Sequence, residues 1–203
     1  MLIEHQGRRP FIHESAFVAP TAVVCGDVTI GPHSQVAFGA IIVAQGGSVV
    51  IGTQSIIREN AIIRATPQHS VHIGNYVLVG PNAALYGCTV ADEAFLATGV
   101  TIFHAARIGK QAEVRINGVV HVNSGLPERA MVPIGWVAVG DPAQVFPPND
   151  HERIWAIQKS LNFPLTVYGV ERSPNGSIDM KEITRRLAEG LAEHRNDQVV
   201  VAR

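Results

Sequence analysis

Four histidines give the middle of this chain most of its capacity for acid–base or metal chemistry. His69 and His72 lie close together in a polar segment, where a mobile imidazole could act as a general base. His104 and His121 follow further along the chain. Because neutral imidazoles also ligate metals, these four side chains admit a metal site. The competing interpretation is that the loop imidazoles are simply solvated.

Arg64 and Tyr86 are the side chains best suited to hold an anion. A guanidinium binds a carboxylate or phosphate through paired N–H donors, and a phenol can add a further hydrogen bond. With Gln45, Arg58 and Glu59 nearby, the two would form a pocket for a small carboxylate or phosphate. In the alternative, Arg64 pairs with Glu59 across a subunit interface and Tyr86 only packs.

The element that must position these side chains is a repeat. Aliphatic residues recur at six-residue intervals, with longer steps before Ile51 and Ile73 and a shorter one before Val90. The ladder comprises Ile12, Val18, Val24, Ile30, Val36, Ile42, Ile51, Ile57, Ile63, Ile73, Val79, Leu85, Val90, Leu96, Ile102, Ile108, Val114 and Val120. A period of six fits neither a helix nor an alternating strand. It predicts an all-β solenoid of triangular coils, with turns about 4.8 Å apart, rather than an irregular β-sandwich.

Stacked coils allow columns of side chains to be identified. At one corner the residues that follow the aliphatics form a column of Val43, Arg64, Tyr86, Phe103 and His121. The longer steps place extra residues at 43–50 and 64–72, which we expect to bulge as loops at this corner, one turn apart. Insertions in a solenoid commonly collect on the binding face.

The repeat is expected to end near Val122. Residues 123–129, rich in polar and turn-forming types, predict a loop, and 132–139 predict a final strand.

Helical patterns follow the solenoid. Residues 151–162 and 179–194 predict two amphipathic helices, and the tail after Asn196 is expected to be frayed. The chain thus divides into a β-helix with an N-terminal lead-in at 1–146 and a helical segment at 147–203.

Composition excludes several classes of function. The chain has 203 residues and a net charge of -1, which argues against a nucleic-acid partner. Its two cysteines, Cys25 and Cys88, are expected to be small packing residues, with no disulfide framework. A signal peptide and a membrane-spanning segment are not expected, so the sequence predicts a cytoplasmic protein without a membrane partner.

Several motifs resemble the γ-class carbonic anhydrases. They are Ala40-Ile-Ile-Val-Ala-Gln45, the block Val71-His-Ile-Gly-Asn-Tyr-Val-Leu-Val-Gly-Pro-Asn-Ala-Ala-Leu-Tyr-Gly-Cys-Thr-Val90, and the closure Gly140-Asp-Pro-Ala143 before a helix. The resemblance covers about residues 11–162. It implies that the solenoid is a left-handed parallel β-helix and that the protein is a homotrimer with its site between subunits.

The resemblance also implies where zinc would be held, and those positions have changed. The three histidines of that family correspond here to Arg64, Pro81 and Tyr86. Arginine has no lone pair to offer and carries a permanent charge, proline has no ligand atom, and a neutral phenol is a poor ligand. Zinc is therefore not expected at the usual place, and no cofactor is predicted.

Three functions remain open on the sequence. The first is a γ-carbonic anhydrase-like protein that lacks zinc-dependent hydration of carbon dioxide and has a small-anion pocket at the trimer interface. The second is a hexapeptide acyltransferase that uses acyl-CoA, with His69, His72 or His104 as its base. The third is a carbonic anhydrase-type metalloenzyme with relocated ligands.

Overall fold

The protein folds as a left-handed parallel β-helix with C-terminal α-helices, as the hexad repeat and the resemblance predict. The computed structural model describes residues 1–200. The first strands are β1 (Leu2–Glu4), β2 (Phe11–Ile12), β3 (Phe17–Val18), β4 (Val23–Ile30), β5 (Gln35–Val36), β6 (Ile41–Ile51), β7 (Ile56–Ile57), β8 (Ile62–Ala65), β9 (Val71–Ile73), β10 (Leu78–Val79) and β11 (Ala84–Tyr86). The later strands are β12 (Thr89–Val90), β13 (Phe95–Leu96), β14 (Thr101–Ile102), β15 (Arg107–Ile108), β16 (Glu113–Val114), β17 (Val119–Val120), β18 (Gly125–Leu126), β19 (Met131–Val132), β20 (Val137–Val139), β21 (Gln144–Phe146) and β22 (Gln198–Val200).

The strands stack into three faces. Face one contains the start of β4, the start of β6, and β8, β11, β14, β17 and β20. Face two contains β2, the ends of β4 and β6, and β9, β12, β15 and β18. Face three is a separate seven-stranded sheet of β3, β5, β7, β10, β13, β16 and β19. All neighbouring coils pair in parallel, so each coil satisfies the backbone groups of the next.

The aliphatic ladder forms the core. Ile63, Leu85 and Ile102, which follow one another on face one, are each 0% exposed. Burial of each such side chain stabilises the fold by about 1.5–3 kcal/mol. Because strand residues alternate in direction, the side chains on either side of each ladder residue point outward.

The corners depend on left-handed backbone. One residue of nearly every later hexad has a positive φ: Glu93, Gly99, Ala105, Gln111, Asn117, Asn123, Arg129 and Gly135. Glycine and asparagine suit this conformation, whereas alanine at Ala105 (φ 58°) is strained by contact of its Cβ with the backbone.

The prediction of a loop at 43–50 is wrong, because this segment continues as strand within β6. It pairs with the next coil on both sides of the corner, as Ala44 with Ala65 and Val49 with Val71. Gly47 permits this path, since a Cβ there would lie 2.3 Å from the carbonyl oxygen of Thr66. The predicted loop at 64–72 is confirmed only in its middle, as a tight turn at Thr66–His69, because residues 64–65 belong to β8 and 71–72 to β9.

The repeat extends further than predicted. Strands β18 and β19 continue the ladder through Leu126 and Val132, so residues 123–129 are not simply a loop. Residues 132–139 are not one strand, because a turn separates β19 from β20. Gly125 precedes Leu126, and Ala138 stands where the ladder elsewhere has a larger aliphatic residue. The six-residue pattern is therefore weaker in this part of the sequence.

The C-terminal helices are α1 (His151–Gln158), α2 (Phe163–Tyr168) and α3 (Met180–Ala192), with 3₁₀ turns at Lys159–Leu161 and Glu193–Asn196. Both predicted helices are present, and α2 was not predicted. The Asp179 side chain caps α3 by accepting a hydrogen bond from the backbone N–H of Glu182.

The tail returns to the start of the chain. Strand β22 pairs antiparallel with β1, which pairs on its other side with β4. The expectation of a frayed tail is therefore wrong for Asp197 to Val200, since β1 offers an unpaired edge there. The remainder of that expectation, at 201–203, lies outside the described residues. Within residues 1–200, no helix is long and apolar enough to cross a membrane.

Candidate functional site

The predicted column of side chains is present on face one. Val43 pairs with Arg64 and Arg64 with Tyr86 across neighbouring coils. Phe103 and His121 extend the column, with ring centroids 6.1 Å apart. Alternation turns these side chains outward, away from the ladder. The six-residue spacing therefore placed the column correctly.

An imidazole cluster lies beside the column at the next corner. The His104 ring stacks on Tyr86, with centroids 5.8 Å apart and ring planes inclined by 9°. His69, from the tight turn of the coil below, meets His104 edge-on at 5.7 Å. Gly87 permits this approach, because a Cβ there would lie 2.4 Å from the Cβ of His69. The sequence did not predict this contact, because the two histidines are far apart in the chain and meet only through the path of the turn at Thr66–His69.

His104 is held in its neutral form. Its side chain is buried, and burial lowers the pKa of the imidazole to about 4, with a smaller contribution from His69. Its Nδ1 is buried and has no hydrogen-bond partner among residues 1–200. At neutral pH the ring therefore has a lone pair for a proton or a ligand.

Arg64 is a cation without a local counterion. It is partly buried, its Nε has no hydrogen-bond partner, and it forms no ion pair with any side chain between Met1 and Val200. Glu59 instead pairs with Arg58, whose Nε lies 3.0 Å from the carboxylate. The pairing of Arg64 with Glu59 across a subunit interface involves a second chain and stays a prediction. Arg58 lies exposed and Glu59 half-buried on the corner that precedes β8.

Two other candidates lie apart from the cluster. His72 is exposed on β9 of face two, where its backbone neighbours are Val50 and Thr89. Gln45 directs its amide toward α3, since its Nε2 lies 3.0 Å from where a Cβ of Gly190 would stand.

The C-terminal segment covers the upper end of the column. Phe163 packs on Phe103 at 5.4 Å and on His121 at 5.7 Å. The side-chain amide of Gln158 lies 2.8 Å from His121 Nε2. Burial lowers the pKa of His121, so this imidazole serves packing in its neutral form.

The residues at the resembled family's ligand positions do not suit zinc. Arg64 and Tyr86 are neighbours on face one, and Pro81 lies at the corner between β10 and β11. A guanidinium, a proline ring and a phenol provide no set of three neutral or anionic donors. The four histidines predicted as relocated ligands also fail to assemble a group of three donors within residues 1–200.

One cluster escaped the sequence interpretation. His5, Cys25, His194 and Asp197 bring their ligand atoms within 4.8 Å of one another. Cys25 is therefore not merely a packing residue, unlike Cys88, which lies in the hydrophobic core. Burial and the Asp197 carboxylate raise the pKa of the Cys25 thiol to about 12.

Comparison with known proteins finds no matching family model. Gamma carbonic anhydrase 2 of Arabidopsis thaliana mitochondria is 28% identical over 94% of this chain and 69% of its own length. Gamma carbonic anhydrase 1 is 31% identical over 75% of this chain and 56% of its own length. The chain is similar in sequence to the gamma carbonic anhydrases. It spans only part of these relatives.

A solved structure supports the same fold. The UDP-N-acetylglucosamine acyltransferase of Bacteroides fragilis is 15% identical, with a TM-score of 0.57 over 96% of this chain and 98% of its own. At this identity the likeness concerns the hexapeptide-repeat solenoid alone.

Proposed function

We propose that this chain is a gamma carbonic anhydrase-like protein that binds a small oxyanion at Arg64 and does not hydrate carbon dioxide with zinc at the usual place. The observation that carries the proposal is a partly buried guanidinium whose Nε has no partner, and which has no counterion, among residues 1–200. A buried charge without a partner is costly, so an anion at this position would be stabilising.

The neighbours of Arg64 favour a small, planar or compact anion. Val43 and Tyr86 flank it in register and narrow the space beside the guanidinium. The Tyr86 hydroxyl can donate a hydrogen bond to the same ligand. Because His104 is neutral, Arg64 supplies the positive charge of this cluster. A carboxylate, bicarbonate or phosphate fits these donors.

A second subunit would complete the pocket. The outward row of face one is almost wholly apolar: Val23, Ile41, Ile62, Ala84, Thr101, Val119 and Val137. Ile41 is 38% exposed in the single chain. Burial of this row against a partner would be favourable, which supports a homotrimer with Arg64 near the interface.

Calorimetric titration with bicarbonate, acetate and inorganic phosphate tests the anion site. We expect at least one of these to bind, and Arg64→Gln to weaken it by about tenfold or more, as loss of a charged hydrogen bond requires. Arg58→Gln is the matched control, because Arg58 is exposed and paired with Glu59. Equal binding by the Arg64 variant, or no binding by the wild type, would contradict the proposal.

Stopped-flow measurement of carbon dioxide hydration tests the second part of the proposal, the lack of zinc-dependent hydration. With zinc added, we expect no hydration rate above the uncatalysed rate in buffer. Zinc-dependent hydration that disappears in Arg64→Gln or Tyr86→Phe would overturn this part alone.

The acyltransferase alternative draws support from His104, a neutral imidazole with a free Nδ1 that could act as a general base. Titration with acetyl-CoA distinguishes it. Binding of acetyl-CoA that survives Arg64→Gln, together with failure of the three small anions to bind, would favour the acyltransferase.

A further inference from the structure

The cluster of His5, Cys25, His194 and Asp197 joins the two ends of the described chain. His5 follows β1, and Cys25 lies in β4 on face one. His194 belongs to the 3₁₀ turn after α3, and Asp197 directly precedes β22. The cluster is thus assembled only when the tail has returned to the first coil.

The Asp197 carboxylate is at the centre of the group. Its Oδ1 lies 2.7 Å from His5 Nδ1 and its Oδ2 lies 2.7 Å from His194 Nδ1. Cys25 Sγ lies 3.6 Å from Oδ2, and the two imidazole rings stack with centroids 4.3 Å apart. Four potential ligand atoms therefore converge on one small volume.

The cluster is largely withdrawn from solvent. His5 is 2% exposed and Cys25 is 3% exposed. The Nε2 of His5 is buried and has no hydrogen-bond partner among the residues that the structure describes. The two stacked imidazoles and the thiol surround one carboxylate, an arrangement that brings nitrogen, sulfur and oxygen donors together away from bulk water.

We propose that His5, Cys25, His194 and Asp197 bind one divalent metal ion of the zinc type, in a closed tetrahedral site. The donor set is one thiolate, two imidazoles and one carboxylate. Zinc binds sulfur, nitrogen and oxygen ligands of this kind, whereas calcium and magnesium prefer oxygen ligands. Four protein ligands leave no open position, so the site is structural. It fastens the C-terminal tail to the N-terminal coil.

Binding requires a small rearrangement and the release of one proton. Zinc bonds of about 2.0–2.3 Å place ligand atoms more than 3 Å apart, so the two contacts at Asp197 must lengthen by less than about 1 Å. The Cys25 thiol gives its proton to solvent as the sulfur binds the metal. Each imidazole binds through Nδ1 as the neutral tautomer that carries its proton on Nε2.

This site differs from the one implied by the resembled family. Cys25 pairs with Val43, and Val43 pairs with Arg64, so one coil lies between Cys25 and Arg64. The proposal therefore does not depend on the anion site or on hydration of carbon dioxide.

Cobalt titration of reduced, chelator-treated full-length protein tests the site. We expect one equivalent of Co²⁺ per chain, with a thiolate-to-cobalt charge-transfer absorption and the visible bands of tetrahedral cobalt. Cys25→Ala should abolish the charge-transfer absorption and weaken binding by at least about 100-fold, since loss of a supporting residue alone costs 10–100-fold. Cys88→Ala, which removes the other buried thiol, should change neither.

His194→Gln provides a second variant that leaves the solenoid core intact. It should weaken Co²⁺ binding and abolish the rise in Tm that Zn²⁺ gives the wild type, whereas His104→Gln should retain both. The proposal is overturned if the wild type shows no charge-transfer absorption, or if Cys25→Ala and His194→Gln both bind the metal as the wild type does.

Discussion

Burial acts differently on Arg64 and His104, which lie near the same corner of the solenoid. A guanidinium cannot lose its proton near neutral pH, so Arg64 remains a cation. An imidazole can lose its proton, and His104 does so because burial disfavours the charged ring. Arg64 therefore keeps its positive charge, on which the proposed anion site rests, while His104 carries a lone pair.

His104 should make stability depend on pH. Its pKa falls from 6.5 in the unfolded chain to about 4 in the fold, so its contribution is complete above pH 6.5 and is lost as the pH falls toward 4. Urea unfolding at pH 7.5 and pH 4.5 should show a loss in the wild type that is smaller in His104→Gln by about 2–3 kcal/mol. An equal loss in both proteins would show that His104 titrates normally.

At the scale of the element, the corners between strands carry the backbone strain of each coil. Ala105 adopts φ 58° at a corner where glycine would be relaxed. The next residue, Ala106, is 0% exposed and does not share the positive φ. The two neighbours therefore provide matched tests of corner strain.

Ala105→Gly should stabilise the protein by up to about 1 kcal/mol, because it relieves the left-handed strain. Ala106→Gly should destabilise it by a similar amount, since it removes a buried methyl group and loosens the unfolded chain. Chemical denaturation of both variants provides the measurement. Destabilisation by Ala105→Gly would show that the corner carries no such strain.

The sequence predicted the features that depend only on the six-residue repeat. Because each coil repeats the same geometry, the register of the aliphatic ladder placed four side chains in one column: Arg64, Tyr86, Phe103 and His121. It could not place His69 beside His104, since that contact depends on the path of the tight turn. Nor could it find His5 with His194, because a returning tail has no period and joins residues that are far apart in the chain.

At the scale of the whole molecule, face one remains incompletely covered. The C-terminal segment covers Phe103 and His121, yet Ile41 stays exposed on the same face. An apolar row of this kind is typical of an interface between subunits. The outward row of face one thus supports the proposed interface between subunits.

Sedimentation equilibrium should give a mass about three times that of the 21.8 kDa chain. Ile41→Glu should shift the population toward monomers, because it places a charge in the apolar row. Thr89→Glu, on the exposed side of face two, should leave the mass unchanged. A monomeric wild type would rule out a pocket shared between subunits.

The pairing of β22 with β1 has a consequence for biosynthesis. Coils in the middle of the solenoid can stack as soon as they leave the ribosome, since each needs only its neighbours. The first coil cannot, because one of its edges pairs with residues 198–200, which are translated after every coil of the solenoid. The first coil is thus completed after the coils that follow it, and until then its unpaired strand edge is open to contact with other nascent chains.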